Sequence, residues 1–175
     1  IIIATQTVEG EEDLIARVFQ SLKTAFPDLM LIIVPKHPAR GAEIEDALSD
    51  QGLCVAMRSK SELPGAETQV YLGDTMGELG LFYRLDGPVV LGRSLVPGYG
   101  GSNPLEPARF GRCIIQGVHT ENFSEETKLL ADGIGSLVAA DETDLESLLK
   151  VALDNEVQSQ ELGTAARNIV QSLQG

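Results

Sequence analysis

The chain of 175 residues has little that would place it outside ordinary globular proteins. Two cysteines, Cys54 and Cys113, are too few for a disulfide framework, and each sits in a short apolar run that reads as core. The two histidines are far apart in sequence, and nothing has metal-ligand spacing. No run approaches the roughly 18 apolar residues of a membrane span, and no secretory signal pattern is visible. Internal repeats and low-complexity segments are absent as well. Basic residues number 13 against 26 acidic ones, for a net charge of −13. That balance argues against a nucleic-acid backbone as partner, which needs clustered Lys and Arg.

What is present is 43% hydrophobic and 22% charged, a composition that suits one soluble domain with a sizeable core. The opening IIIATQTVEG has no methionine and starts inside a strand-like run. We read the chain as a piece lacking an N-terminal part, in which any anchor would lie. The basic side chains are unevenly placed. Lys36, Arg40, Arg58, Lys60, Arg84, Arg93, Arg109 and Arg112 fall within residues 36–112, whereas the sequence from Gly117 onward is mostly acidic and reads as a solvated surface.

Apolar runs alternate with helical patterns. Strands are expected at 1–4, 29–34, 53–57, 69–72, 89–91, 113–115 and 136–138. Helices are expected at 9–26, 38–50, 105–110, 122–131, 143–153 and 156–172, with a short one after the glycine turn at 73. Leu14, Val18, Leu22 and Ala25 give the first helix its apolar face, and Glu9, Glu11, Glu12 and Asp13 load its first turns. Continuous apolar strands alternating with helices imply a mostly parallel α/β sheet of about six strands, helices on both faces, in a single Rossmann-like domain over 1–175.

In such sheets ligands bind outside the carboxyl ends of the strands. Four segments there are rich in Gly, charge or amide: VPKHPAR (34–40), GDTMGE (73–78), GRSLVPGYGGSNPLEP (92–107) and QGVHTENF (116–123). In the first, Lys36 and Arg40 suit a phosphate or carboxylate, as point charge and planar fork, or simply form a charged loop. His37 is either a ligand or a hydrogen-bonded structural histidine. In the second, Gly77 is expected to open a helix whose free N–H groups hold an anion. Asp74 and Thr75 suit caps, with Thr75 and Glu78 in capping-box spacing. In the third, Gly98, Gly100 and Gly101 allow the backbone to approach a ligand. Ser102 or Asn103 then caps a helix with Pro104 in its first turn. Glu106 either complements the helix dipole or accepts from a ribose diol.

These segments carry a resemblance. VPKHPAR, GDTMGELGLFY and SLVPGYGGSNPLEPA, with TQTVEGEED before and QGVHTENF after, resemble in order the 3-deoxy-D-manno-octulosonic acid (Kdo) transferases of bacterial lipopolysaccharide assembly. The resemblance covers at least residues 5–124. It implies the C-terminal, donor-binding lobe of a GT-B glycosyltransferase, an inner-membrane enzyme on the cytoplasmic face that moves Kdo from CMP-Kdo to the lipid A precursor with inversion. It also implies that Lys36, standing where the family has arginine, meets the phosphate or the Kdo carboxylate. Thr75, Met76 and Gly77 would line the nucleotide pocket, and Asn103 and Glu106 would contact the donor, Glu106 at the ribose hydroxyls. His37, Arg40, Glu78, Gly100 and Gly101 complete the expected donor set. The catalytic base, the lipid A contact and any membrane contact would lie in the other lobe, so this chain is expected to bind donor without transferring sugar. No metal or cofactor is called for.

Three positions depart from the family pattern: Lys36 for arginine, Arg93 in a usual Gly-Gly pair, and Ser102 for histidine or glutamine. Two other readings share some of these features. One is another GT-B enzyme, a UDP-sugar transferase or epimerase. The other is a receiver-type regulatory module, which would need acids after the first strand where Thr5, Gln6 and Thr7 stand.

Overall fold

A computed structural model describes residues 1–174. Seven parallel strands form one sheet: β1 (Ile2–Thr7), β2 (Leu31–Pro35), β3 (Val55–Met57), β4 (Val70–Leu72), β5 (Val89–Leu91), β6 (Ile114–Gln116) and β7 (Leu137–Val138). Their order is β3-β4-β2-β1-β5-β6-β7. All seven expected strands form. The seventh is a two-residue edge strand, and a short edge offers little template for pairing with another chain.

Helices cover both faces because the strands are apolar on both. Ile2, Ala4, Leu31, Ile33, Val70, Leu72, Val90 and Ile115 face one side. There they meet Ile15, Val18, Phe19 and Leu22 of α1 (Glu11–Leu22), Ile44 and Leu48 of α2 (Gly41–Asp50), and, further along the chain, Leu145 and Leu149 of the helix Glu142–Asp154. On the other side Ile3, Ile32, Tyr71 and Val89 pack with Phe82, from α3 (Leu79–Phe82), and with Tyr83 just after it. Leu91 and Ile114 pack with Ala108 of α4 (Leu105–Arg109), Leu130 of α5 (Ser124–Asp132), and Ala166 and Val170 of the last helix. The last two helices are α6 (Glu142–Asp154) and α7 (Glu156–Gln174). Each fully buried Leu, Ile or Phe contributes about 1.5–3 kcal/mol, so the two layers hold the sheet edge rigidly.

Helix ends depart from expectation where a single residue decides them. α1 runs from Glu11, not Glu9, because Gly10 is left-handed at φ +93°, and it ends at Leu22. Its buried stripe is therefore Ile15, Val18, Phe19 and Leu22 rather than one reaching Ala25. Pro38–Arg40 forms a 3-10 turn before α2 rather than its first turn. α6 is capped by Asp141, whose carboxylate accepts from Asp144 N–H at 2.8 Å. Cys113 is buried as expected, but Cys54 is exposed, just ahead of β3.

From β1 the chain passes β2 to β3 at the sheet's edge, returns to set β4 between β3 and β2, then crosses to β5 on the other flank of β1. The crevice at this reversal lies between the carboxyl ends of β1 and β5, and it positions the loops described next.

Candidate functional site

The outer half of the carboxyl edge comes from the loops after β2 and β4. Lys36 leaves β2 with its N–H donating to Thr7 O at 2.9 Å, which splices this loop to the end of β1. Lys36 and His37 are exposed, and Lys36 joins no ion pair among the described residues. After β4 the chain runs through buried Gly73 and Asp74, half-buried Thr75 and exposed Met76 to Gly77, left-handed at φ +78°. Gln6, Pro35, Lys36, Pro38 and residues 75–79 enclose a pocket of about 110 Å³. It holds Lys36, Thr75, Met76, Gly77 and Glu78 of the expected donor set.

Local bonding in this turn differs from the capping arrangement read from sequence. α3 begins at Leu79, two residues beyond Gly77, and has no side-chain cap. The Thr75 hydroxyl bonds the Glu78 carboxylate instead of a backbone N–H. Asp74 accepts from Ser59 N–H at 2.9 Å and from Ser59 Oγ at 2.5 Å. Glu78 receives Arg58 Nε and Nη2, both at 2.6 Å. Arg58, and then Thr75, hold the Glu78 carboxyl down at about 2, below the usual glutamate range.

The inner half is built from the loops after β5 and β6, and a buried carboxylate organises it. Glu11 is fully buried at the start of α1. Its Oε1 accepts from Val8 N–H at 3.0 Å and Arg93 N–H at 2.7 Å, and its Oε2 accepts from Leu95 N–H at 3.0 Å. Burial pushes the Glu11 carboxyl up, and the three N–H donors only partly offset that. Arg93 is left-handed at φ +62°, the conformation its usual glycine would favour. Its Nη2 donates to Tyr99 O at 3.1 Å, beneath the glycine-rich loop. Ser94 Oγ donates to Leu91 O at 2.6 Å and accepts from Gly117 N–H at 2.8 Å, tying the ends of β5 and β6.

The glycines of the GYGG segment answer to this packing. A Cβ on Gly100 would lie 2.3 Å from Asn122 Nδ2, and one on Gly101 would lie 2.9 Å from Thr120 Cα. Both residues are left-handed and buried, so it is the chain's own segment after β6 that approaches them. Gly98, at φ +101°, has nothing within 4 Å of its Cβ position. Ser102 is not the cap of α4: its Oγ donates to Gly92 O at 3.0 Å. Asn103 Oδ1 accepts from Leu105 N–H at 3.0 Å, leaving its amide NH₂ unengaged among the described residues. Glu106 is exposed on the first turn of α4.

Arg40 and His37 stand apart. The Arg40 fork is taken by Glu12, at 2.8 and 3.2 Å, with Glu43 at 3.5 Å, and it lines a separate cavity of about 110 Å³. His37 precedes the 3-10 turn and is not in the pocket wall. A larger cavity of about 200 Å³ lies at the opposite, amino edge, among Ile1, Pro88, Cys113 and Ser159, and contains none of the expected donor residues. Sequence reasoning passed over Arg58 and Ser59, although they follow β3 as directly as the four chosen segments follow their strands. It also read Glu11 only as a charge on a helix end.

No family model matches the chain. The 3-deoxy-D-manno-octulosonic acid transferase of Haemophilus influenzae is 37% identical over 99% of this chain, which spans 40% of that relative's length. The solved C-terminal CMP-Kdo binding domain of WaaA from Acinetobacter baumannii superposes with a TM-score of 0.91 at 30% identity, covering 97% of this chain and 88% of that domain. The fold, the ordered loop motifs and this match over nearly the whole chain agree, and the chain belongs to the Kdo transferase family as a counterpart of its C-terminal GT-B domain.

Proposed function

We propose that this chain is the donor-binding domain of an enzyme that transfers Kdo from CMP-Kdo to the lipid A precursor, with inversion. The observation that carries the reading is the unpaired Lys36 facing the Gly77 turn across one pocket at the carboxyl edge, in a chain aligned over nearly its whole length with a CMP-Kdo binding domain. A phosphate or carboxylate placed there meets an ammonium that pairs with no carboxylate among the described residues. Lys36 holds that anion, and Thr75, Met76 and Gly77 bound the nucleotide. The free amide of Asn103 and the exposed carboxylate of Glu106 sit at the start of α4. A carboxylate there can accept two hydrogen bonds from a ribose diol in exchange for those it makes to water. Gly100, Gly101 and Arg40 act by shaping the loops, and His37 reaches the ligand only by turning from solvent.

We assign no catalytic base among the described residues. Deprotonation of the acceptor hydroxyl, the lipid A contact and the membrane contact belong to a second, N-terminal lobe. No described helix is long and apolar enough to cross a membrane. The complete enzyme works at the cytoplasmic face of the bacterial inner membrane, and this chain folds as a single domain within it.

Calorimetric titration with CMP, UMP and UDP tests the reading. CMP is expected to bind at least about tenfold more tightly than UMP, a difference of about 1.4 kcal/mol. Equal or tighter binding of UDP would replace it with a UDP-sugar enzyme.

A further inference from the structure

Glu78 puts a carboxylate into the wall of a pocket whose proposed ligand is anionic. Left bare, it would cancel Lys36 and repel phosphate. Its partner comes from outside the pocket. Arg58 belongs to the 3-10 turn Arg58–Lys60 that follows β3, and β4 separates β3 from β2. It does not line the pocket, yet its Nε and Nη2 each reach a different Glu78 oxygen at 2.6 Å. The Thr75 hydroxyl takes up further acceptor capacity of the same carboxylate. The next residue, Ser59, holds Asp74 through both its N–H and its Oγ. Two consecutive residues after β3 thus grip the turn after β4 at both ends, and Gly77 lies between the gripped positions.

A planar fork matched to a carboxylate is the geometry that neutralises charge most completely at short range. Lys60, next in the same turn, is spent on Glu45 at 3.1 Å and adds nothing to the pocket.

We propose that Arg58 is a positioning residue for anion binding: it masks the charge of Glu78 and fixes the Gly77 turn, so that Lys36 is the uncompensated charge a phosphate-bearing ligand meets. The inference rests on the donor-pocket reading above.

The test is a set of CMP dissociation constants for the wild-type chain, Arg58→Ala, Arg58→Lys and the double variant Arg58→Ala/Glu78→Gln, with amide spectra confirming that each is folded. Arg58→Ala is expected to weaken CMP binding about tenfold, because it leaves a bare charge in the wall. Arg58→Lys, which keeps the charge but loses the fork, falls between the two. The double variant recovers most of the loss, since no charge remains to be masked. Two results would overturn the inference while leaving the donor reading standing. One is wild-type affinity in Arg58→Ala. The other is a double variant as weak as Arg58→Ala, which would mean that Arg58 does not act by masking the charge of Glu78. Failure of the wild-type chain to bind CMP would remove the donor reading and this inference together.

Discussion

The two halves of the sheet's carboxyl edge are held by different forces. After β3 and β4 the loops are joined by charged side chains that remain partly in water: the Arg58 and Glu78 side chains are 33% and 27% exposed. After β5 and β6 the loops are joined by backbone groups and by buried Ser94, and Glu11, which water does not reach, ties the loop after β5 to the end of β1. Exposed pairs are screened by salt and add little to stability, whereas a buried acceptor cannot be removed without orphaning its donors. The outer half can therefore lose or regain its ion pair with little risk to the fold, whereas the inner half is a fixed floor.

The largest expected effect breaks the inner half. Glu11→Ala leaves three N–H groups without their acceptor, at about 1–3 kcal/mol for each that stays buried. That is a large share of a typical stability of about 5–15 kcal/mol, and urea unfolding should show a midpoint far below wild type. Glu11→Gln sharpens the point: it keeps the shape but turns an NH₂ toward Leu95 N–H, and should still cost about 1–3 kcal/mol.

Next comes a contrast within one loop. Gly101→Ala meets the Thr120 backbone as well as an unfavourable φ and should cost about 2–4 kcal/mol, while Gly98→Ala, with open space around it, should cost only about 1 kcal/mol. Equal losses in thermal unfolding would mean that the close approach to Thr120 does not constrain the loop.

The two carboxylates should also respond oppositely to acid. Glu78 is depressed to about 2, so its contribution is present above the ordinary glutamate value of 4.5 and is lost as pH falls from there toward about 2. Glu11 is raised, so its ionised form disfavours folding at neutral pH, and protonation relieves this as pH falls toward 4.5. Difference curves of unfolding midpoint against pH for Glu78→Gln and Glu11→Gln should therefore have opposite slopes.

The smallest effect is at Arg93. Arg93→Gly relieves a left-handed arginine but loses the bond to Tyr99 O, and the net change should stay within about 1 kcal/mol.

These contrasts also explain what was legible beforehand. Strands such as Leu31–Pro35 announce themselves because a buried parallel strand must be apolar on both faces. The loops of the site follow from the rule about carboxyl ends. That rule put Lys36 and residues 75–78 at one edge, and family resemblance alone gave them roles toward a donor; that they line one cavity is seen in the structure. What stayed hidden depends on partners distant in sequence. Arg40 was read as a ligand fork, but Glu12, 28 residues away, takes it. Gly100 and Gly101 were read as room for a ligand, but Asn122 and Thr120 fill it. The spacing of Thr75 and Glu78 matches a capping box, yet Arg58 offers Glu78 a stronger partner than a backbone N–H. Glu11 looks like any first-turn acid until the loop after β5 folds over it.

The central claim is that the carboxyl edge, and not the larger cavity at the amino edge, receives the nucleotide. Amide NMR shifts on adding CMP to the chain test it most directly. The account predicts shifts centred on Lys36, Gly77 and Asn103 to Glu106, with Cys113 and Ser159 unmoved. Shifts centred on Cys113 and Ser159, with Lys36 and Gly77 silent, would contradict it.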